Sequence, residues 1–271
     1  MAEKPSRRKI RSLPTDRTLD FPESDGKPMA ETDFHRTPMT DLIAILEHRY
    51  QTRSDVYVSG NMFLHDNPAK PRKKPIAPDV FVVFGVEKKK RRSYRLWEEG
   101  KGPDFVLELV SQRTFRKDLG EKKDSYASVF GVKEYYLFDP DRRYLPSPLM
   151  GYRLKEGSYI PISSVEERLP SEVLGLELGL VDEELRLYDP QKKAWVLKPE
   201  EEAEAKAQQA EAKAQQAEAK AQQAETKAQQ EAKARQQAEA KALLESIARQ
   251  QAETELARLR AELERLRTAS E

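Results

Sequence analysis

The chain has 271 residues, enough for one or two domains, and its 48 basic and 47 acidic side chains leave a formal net charge of +1. That balance excludes a global electrostatic pull toward nucleic acid or membrane, so any such attraction has to come from local clusters. The absence of cysteine excludes disulfides and thiolate metal sites and fits a reducing, cytoplasmic compartment, while no apolar run approaches the roughly 20 residues that span a bilayer.

Residues 1–35 are polar and interrupted by Pro5, Pro14, Pro22 and Pro28. They offer too little apolar surface to offset chain entropy and are expected to be a disordered basic segment. Arg7, Arg8, Lys9 and Arg11 have no apolar stretch behind them, which argues against a secretory leader. Thr37-Pro38 opens a helical pattern with Leu42, Ile43, Leu46 and Tyr50 on one face. The segments 55–59 and 61–64 read as a hairpin turning at Ser59-Gly60. A basic loop follows, with Lys70, Arg72, Lys73 and Lys74 among prolines, and leads into Asp79–Val86, a run apolar on both faces and so a buried strand.

A second basic run, Lys88, Lys89, Lys90, Arg91 and Arg92, precedes the strand pattern Asp104–Val110. A helix is expected over Asp118–Phe130, closed by Gly131 in the left-handed position after its end. A third strand, Lys133–Asp139, stops at Pro140, and short strands are expected at 152–154, 158–160 and 184–188. The core-forming residues place an α+β domain with a mixed sheet over residues 36–198.

From 199 to 271 the composition changes to Ala, Glu, Lys, Gln and Arg. Ala-Glu-Ala-Lys-Ala-Gln-Gln occurs three times in succession from Ala203. Alanines alternate at spacings of four and three, the seam of a supercoiling helix. The same register returns as Ala252, Leu256, Leu259, Leu263 and Leu266, while Glu231, Arg235, Glu245 and Arg249 interrupt it. One helix roughly 100 Å long is expected. It is read as a coiled coil that makes the protein a homo-oligomer, a dimer paired in parallel through its leucine end; the alternative for the alanine part is a solvated single helix or spacer.

Glu108 is the chemical anomaly of the chain. It stands alone among apolar residues in Phe105-Val-Leu-Glu-Leu-Val110, and an unpartnered carboxylate there would cost several kcal/mol. Asp79 opens the other buried strand. If the strands are neighbours, the two carboxylates converge and can hold a hard cation such as Mg²⁺ or Mn²⁺, which prefers a few carboxylate oxygens with water and phosphate completing its shell. Lys122, on the following helix with Asp118 four residues before it, is the third member. An amine beside such a cation can orient or deprotonate water, or stabilise charge on a phosphate. The competing reading of these residues is a buried Glu108–Lys122 ion pair in an ordinary core.

Four motifs occur in order: Pro78-Asp79-Val-Phe-Val-Val; Phe105 to Thr114 around Glu108; Lys117-Asp118-Leu-Gly-Glu-Lys122 with Tyr126-Ala127; and Gly131-Val-Lys-Glu134-Tyr135 to Pro140. In this they resemble the Uma-two family of restriction endonucleases, a bacterial branch of the PD-(D/E)XK nuclease superfamily. The resemblance implies a restriction-endonuclease-like fold, a mixed central sheet flanked by helices. It also implies metal-dependent hydrolysis of DNA, with Asp79 and Glu108 as metal ligands. The superfamily's Glu-x-Lys lysine is missing, because Leu109 and Val110 follow Glu108. The family pattern takes its lysine from the next helix, here Lys122, with Lys117 and Lys123 as competitors.

Pro103-Asp104 is a second Pro-Asp pair, ranked below Asp79 because it sits at the exposed start of its strand. Glu47 would correspond to the superfamily's helix-borne acid, though its position reads as a solvated face. His35, His48 and His65 are too dispersed for a histidine–metal site, and Ser111 lacks a nucleophile's sequence context. Lys70, Arg72, Lys73, Lys74, Lys88, Lys89, Lys90, Arg91 and Arg92 are candidate DNA-phosphate contacts. The expected function is a metal-dependent DNA endonuclease; the alternative is an inactive nuclease-fold module that binds DNA or protein.

Overall fold

The computed structural model describes residues 32–70 and 75–268. The basic segment 1–31 and Arg72, Lys73 and Lys74 lie outside the described residues. The chain divides into two units, Met1–Glu202 and Ala203–Glu271.

In the first unit, helix α1 spans Asp33–Arg49 and buries Met39, Leu42, Ile45 and Leu46. It starts earlier than Thr37-Pro38 suggested, with Pro38 inside its second turn, where the missing N–H forfeits one bond without ending the helix. Strands β1 (Val56–Ser59), β2 (Leu64–His65), β3 (Val80–Phe84) and β4 (Tyr94–Arg95) follow, then the short helix α2 (Leu96–Glu99) and β5 (Phe105–Leu109). Two helical pieces, α3 (Phe115–Leu119) and α4 (Glu121–Ser125), lead through a π-helical turn at Tyr126–Phe130 to β6 (Glu134–Phe138). The remaining strands are β7 (Leu149–Lys155), β8 (Ser158–Pro161), β9 (Leu169–Ser171), β10 (Leu176–Val181), β11 (Glu184–Asp189) and β12 (Ala194–Trp195).

The main sheet has the order β1-β3-β5-β6-β7-β8. Only β5 and β6 run parallel within it; every other neighbouring pair is antiparallel. The parallel pair needs a crossover, and α3, α4 and the π-helical turn supply it. A second sheet, β12-β11-β10-β9, is antiparallel throughout.

Strand alternation sorts the core into two layers. Phe105, Leu107 and Leu109 face a cluster with α1 residues and with Leu176, Leu178 and Leu187 of the second sheet. Val106 and Val110 face the other way, into a cluster with Tyr94, Tyr126, Phe130 and Tyr135. Glu108 shares their parity and so lies on the crossover side.

The expected hairpin at Ser59-Gly60 does not form. β1 pairs with β3, and β2 pairs in parallel with β4. Gly60 instead serves a crossing of two segments. Asn61 N–H donates to Pro78 O at 2.8 Å, and a Cβ on Gly60 would come within 2.0 Å of Asp79 O. The single helix expected over 118–130 is likewise broken at Gly120 and widened at its end, although Gly131 takes the left-handed φ of 62° expected of it.

The second unit is the helical tail. Helix α5 runs Pro199–Thr268 without a break, as its alanine content dictates. Leu256, Leu259 and Leu263 are exposed along it. Among the described residues no helix is long and apolar enough to cross a membrane.

Candidate active site

Asp79 and Glu108 are brought together by the β3–β5 ladder. Val80 stands opposite Leu107 in antiparallel register, and one further step along that register sets Asp79 beside Glu108. Asp79 is anchored there by its Oδ2, which accepts from the Leu109 N–H at 2.6 Å. The Gly60 crossing holds the Asp79 backbone from the other side.

Glu108 is 1% exposed, and both its oxygens are engaged. Lys122 Nζ donates to Oε2 at 2.9 Å, and the Tyr126 hydroxyl donates to Oε1 at 2.6 Å. Lys122 also lies 3.0 Å from Asp118 Oδ1. That approach is close enough for an ion pair but poorly aligned for a hydrogen bond, and both Asp118 oxygens lack a hydrogen-bond partner among the described residues. Asp118 is fully buried. Its backbone is fixed by Tyr135, whose hydroxyl donates to Asp118 O at 2.9 Å.

Three carboxylates therefore converge on one ammonium. Burial pushes the Glu108 carboxyl well above the usual range; Lys122 opposes this, while Asp79 and Asp118 add to it. Asp79 is lifted by burial too, against the pull of Lys122 and the Leu109 N–H. Burial works against the Lys122 charge, but Glu108, Asp118 and Asp79 outweigh it and hold the amine above its ordinary value. With all groups ionised the cluster carries two more negative charges than positive. Protonation of two of the acids, or a dication, would neutralise that excess.

The cluster opens into a cleft of about 450 Å³ lined also by His35, Ser111, Asp141 and Tyr144. Among the described residues no three His, Cys, Asp or Glu side chains are arranged as a complete metal cage. Mg²⁺ needs only one or two protein carboxylates, because it keeps several waters and takes substrate phosphate oxygens.

The lysine alternatives are separated by geometry. Lys117 is exposed, and Lys123 Nζ sits 3.5 Å above the Tyr152 ring, away from the acids. Asp104 does not join the site. Its Oδ2 accepts from Lys101 Nζ at 2.7 Å and from the Phe84 N–H at 2.8 Å, and Lys133 Nζ lies 2.8 Å from Oδ1. Glu47 is exposed on α1. Ser111 is committed to a local turn, its hydroxyl 3.1 Å from Thr114 Oγ1. His35 ties α1 to the end of β5, with Nε2 3.1 Å from Val110 O. His48 pairs with Glu202 at 2.9 Å, and His65 is buried.

Of the basic residues, Lys70, Lys88, Lys89, Lys90 and Arg92 are exposed. Arg91, a candidate DNA-phosphate contact with the rest of its run, is not exposed. Its side chain is 4% exposed, bonded through Nε to Glu99 at 2.7 Å and laid over the Tyr57 ring at 4.2 Å. The aromatic partner thirty-four positions earlier left no local signal. Tyr126 is given no chemical role by pattern reading, and Asp118 is noted only for its place four residues before Lys122, on the same helical face.

A family model described as "Uma2: Putative restriction endonuclease" matches residues 10–188. Among solved structures, the chain is similar to a protein from Anabaena variabilis described as a "putative nuclease belonging to DUF820". The identity is 14%, the match covers 55% of this chain and 76% of that one, and the TM-score is 0.38. No curated protein matches the chain.

Proposed function

The chain belongs to the Uma2 restriction-endonuclease family, and from that premise we propose that it is a metal-dependent DNA endonuclease acting through Asp79, Glu108 and Lys122. One observation carries the reading: two acids from neighbouring buried strands meet side by side, with the amine of the crossover helix 2.9 Å from one of them.

Asp79 and Glu108 would hold Mg²⁺ or Mn²⁺. Such a cation, when bound, polarises a phosphoryl oxygen and lowers the pKa of an attacking water. The protein's own groups do the positioning. The Leu109 N–H fixes one Asp79 oxygen and leaves the other for the cleft. Tyr126 fixes the rotamer of Glu108 from beneath. Lys122, retained by Asp118, presents an ammonium to the negative charge that builds on a phosphodiester in the cleft. Lys70, Lys88, Lys89, Lys90 and Arg92 supply exposed positive charge for the DNA backbone, an attraction that weakens as salt rises. The tail adds self-association to a dimer, supported by the heptad spacing of its alanines and leucines. The absence of cysteine supports a cytoplasmic setting.

A second reading, an inactive nuclease-fold module that binds DNA or protein, is favoured by one detail. Both oxygens of Glu108 are already engaged by Lys122 and Tyr126, the pattern of a closed ion pair. Supercoiled plasmid with Mg²⁺, cut by the wild type and not by Glu108→Ala, supports the enzyme. Equal nicking by both, or no cleavage of any DNA, leaves the binding module.

A further inference from the structure

The seam of α5 contains four charges that a coiled coil would normally exclude: Glu231, Arg235, Glu245 and Arg249. All four are exposed, and each has only an i,i+4 partner on its own helix, at 3.0 to 4.0 Å. Surface pairs of that kind contribute little. Their positions in the seam therefore call for a different explanation.

A parallel pair sets each seam residue against its own copy. That places Glu231 against Glu231, Arg235 against Arg235, and likewise for Glu245 and Arg249, giving four layers of like charge. It also sets Ala against Ala over the first half of the tail and Leu against Leu at its end. The two halves would then demand different distances between the helices.

An antiparallel pair behaves in the opposite way. Let a twofold axis cross the pair level with Ala240, so that residues equidistant from it on the two chains face each other. Arg235 then meets Glu245 of the other copy, and Glu231 meets Arg249. Leu256 faces Ala224, Leu259 faces Ala221, and Leu263 faces Ala217; Ala228 meets Ala252, and Ala238 meets Ala242. From Ala217 to Leu263 every seam residue finds a seam residue, every charge finds its opposite, and each large side chain finds a small one. Facing large with small is how interdigitated layers fill space evenly.

The register is specific. Sliding the pair by one heptad in either direction sets all four charges against Ala or Leu, and sliding by two pairs only two of them. Leu243, Leu244 and Ile247, also exposed, lie on the far face of the helix and play no part in this seam.

We propose that the tail binds a second copy of the same chain in antiparallel orientation, with its twofold axis at Ala240. This rests on the self-association part of the proposed function and reverses the parallel direction expected from the leucine end alone. The first residues of the two tails then lie roughly 110 Å apart, at opposite ends of the pair.

The chain has no native cysteine, so introduced ones report cleanly. Full-length Ala224→Cys and Leu256→Cys are prepared separately, then mixed, re-equilibrated and oxidised. The expected result is a disulfide-linked dimer from the mixture and almost none from either variant alone, because the two positions lie about 48 Å apart along one helix. Self-linked Leu256→Cys dimers would overturn the direction while leaving self-association intact. A monomeric mass for the wild type at micromolar concentration would overturn self-association itself, and with it the proposal.

Charge exchange provides an independent check. Glu245→Arg should weaken dimerisation about tenfold or more, and adding Arg235→Glu should restore it to within about threefold, since the swapped charges attract again only across an antiparallel seam. Failure of that rescue also counts against the proposal.

Discussion

Two Pro-Asp pairs stand at opposite ends of the β3–β5 ladder, and their environments diverge. Asp104 is surrounded by what a carboxylate needs: two lysines and a backbone N–H. Burial alone would lift its pKa, yet those partners together hold it below the ordinary aspartate value. Asp79 has one N–H and shares the single Lys122 with two other acids, and burial lifts its pKa against the pull of that amine and that N–H. The same dipeptide is a structural tie at one end and a charged deficit at the other. What separates them is whether the protein itself supplies the compensating charge. A cluster left short of positive charge is relieved by protonation of its acids or by a cation.

The sharpest way to break this comparison is to remove each acid and measure chemistry. Asp79→Ala and Glu108→Ala should each lower plasmid cleavage in Mg²⁺ by at least about 10³-fold, the scale of losing metal and oriented charge together. Asp104→Ala should leave the rate per folded molecule nearly unchanged. Comparable losses at all three positions would erase the distinction.

Stability should show the reverse order. Asp104→Ala leaves the Phe84 N–H and two lysines without their acceptor and should cost about 2–3 kcal/mol in urea unfolding. Asp79→Asn keeps an acceptor for the Leu109 N–H and removes a disfavoured charge, so it should cost less than about 1 kcal/mol.

A smaller effect is expected at Asp118. It touches no substrate in this arrangement and works by retaining Lys122. Asp118→Asn should slow cleavage about 10- to 100-fold while Mn²⁺ affinity, read by titration calorimetry, changes less than threefold. A large loss of Mn²⁺ binding would make Asp118 a ligand instead of a positioning residue.

The smallest effect concerns pH. In the metal-free protein the Glu108 carboxyl lies above the ordinary value of 4.5, so the folded state holds that proton more tightly than the unfolded chain. Its contribution is present below about pH 4.5 and is lost as pH rises through the raised value. Asp104 has the opposite sign, contributing above its ordinary value of 3.8 and losing that contribution as pH falls through its depressed one. Metal-free wild type should therefore lose melting temperature relative to Glu108→Gln as pH rises from about 5 to 8. Mg²⁺ should close the gap; melting curves that stay parallel would contradict the assignment.

Much of this was legible in the chain itself, for definable reasons. β3, β5 and β6 announce themselves as short runs apolar on both faces, and Glu108 stands out because it breaks one of them. Lys122 is reached from its place on the helix after that strand and from the family resemblance. What escaped were long-range choices. β1 seeks β3 across more than twenty residues, so Gly60 looked like a turn when its task is to let another backbone pass. The break at Gly120 depends on packing that periodicity does not encode. Arg91 looked like one more phosphate contact because neither Glu99, eight residues on, nor Tyr57, in another strand, leaves a local signal. Asp118 looked like one more helical acid, since burial cannot be read from charge.

The widened turn at Tyr126–Phe130 acts like a gear tooth. A π-helical turn holds one residue more than an α-helical turn would over the same span, and Gly131 and β6 fix its downstream end. Excising that spare residue would restore ordinary winding and turn everything upstream by about 100°. Lys122 and the Tyr126 hydroxyl would swing off Glu108 together while the strands kept their places. The length of the crossover, counted to the single residue, is thus as much a part of the site as the side chains that line it.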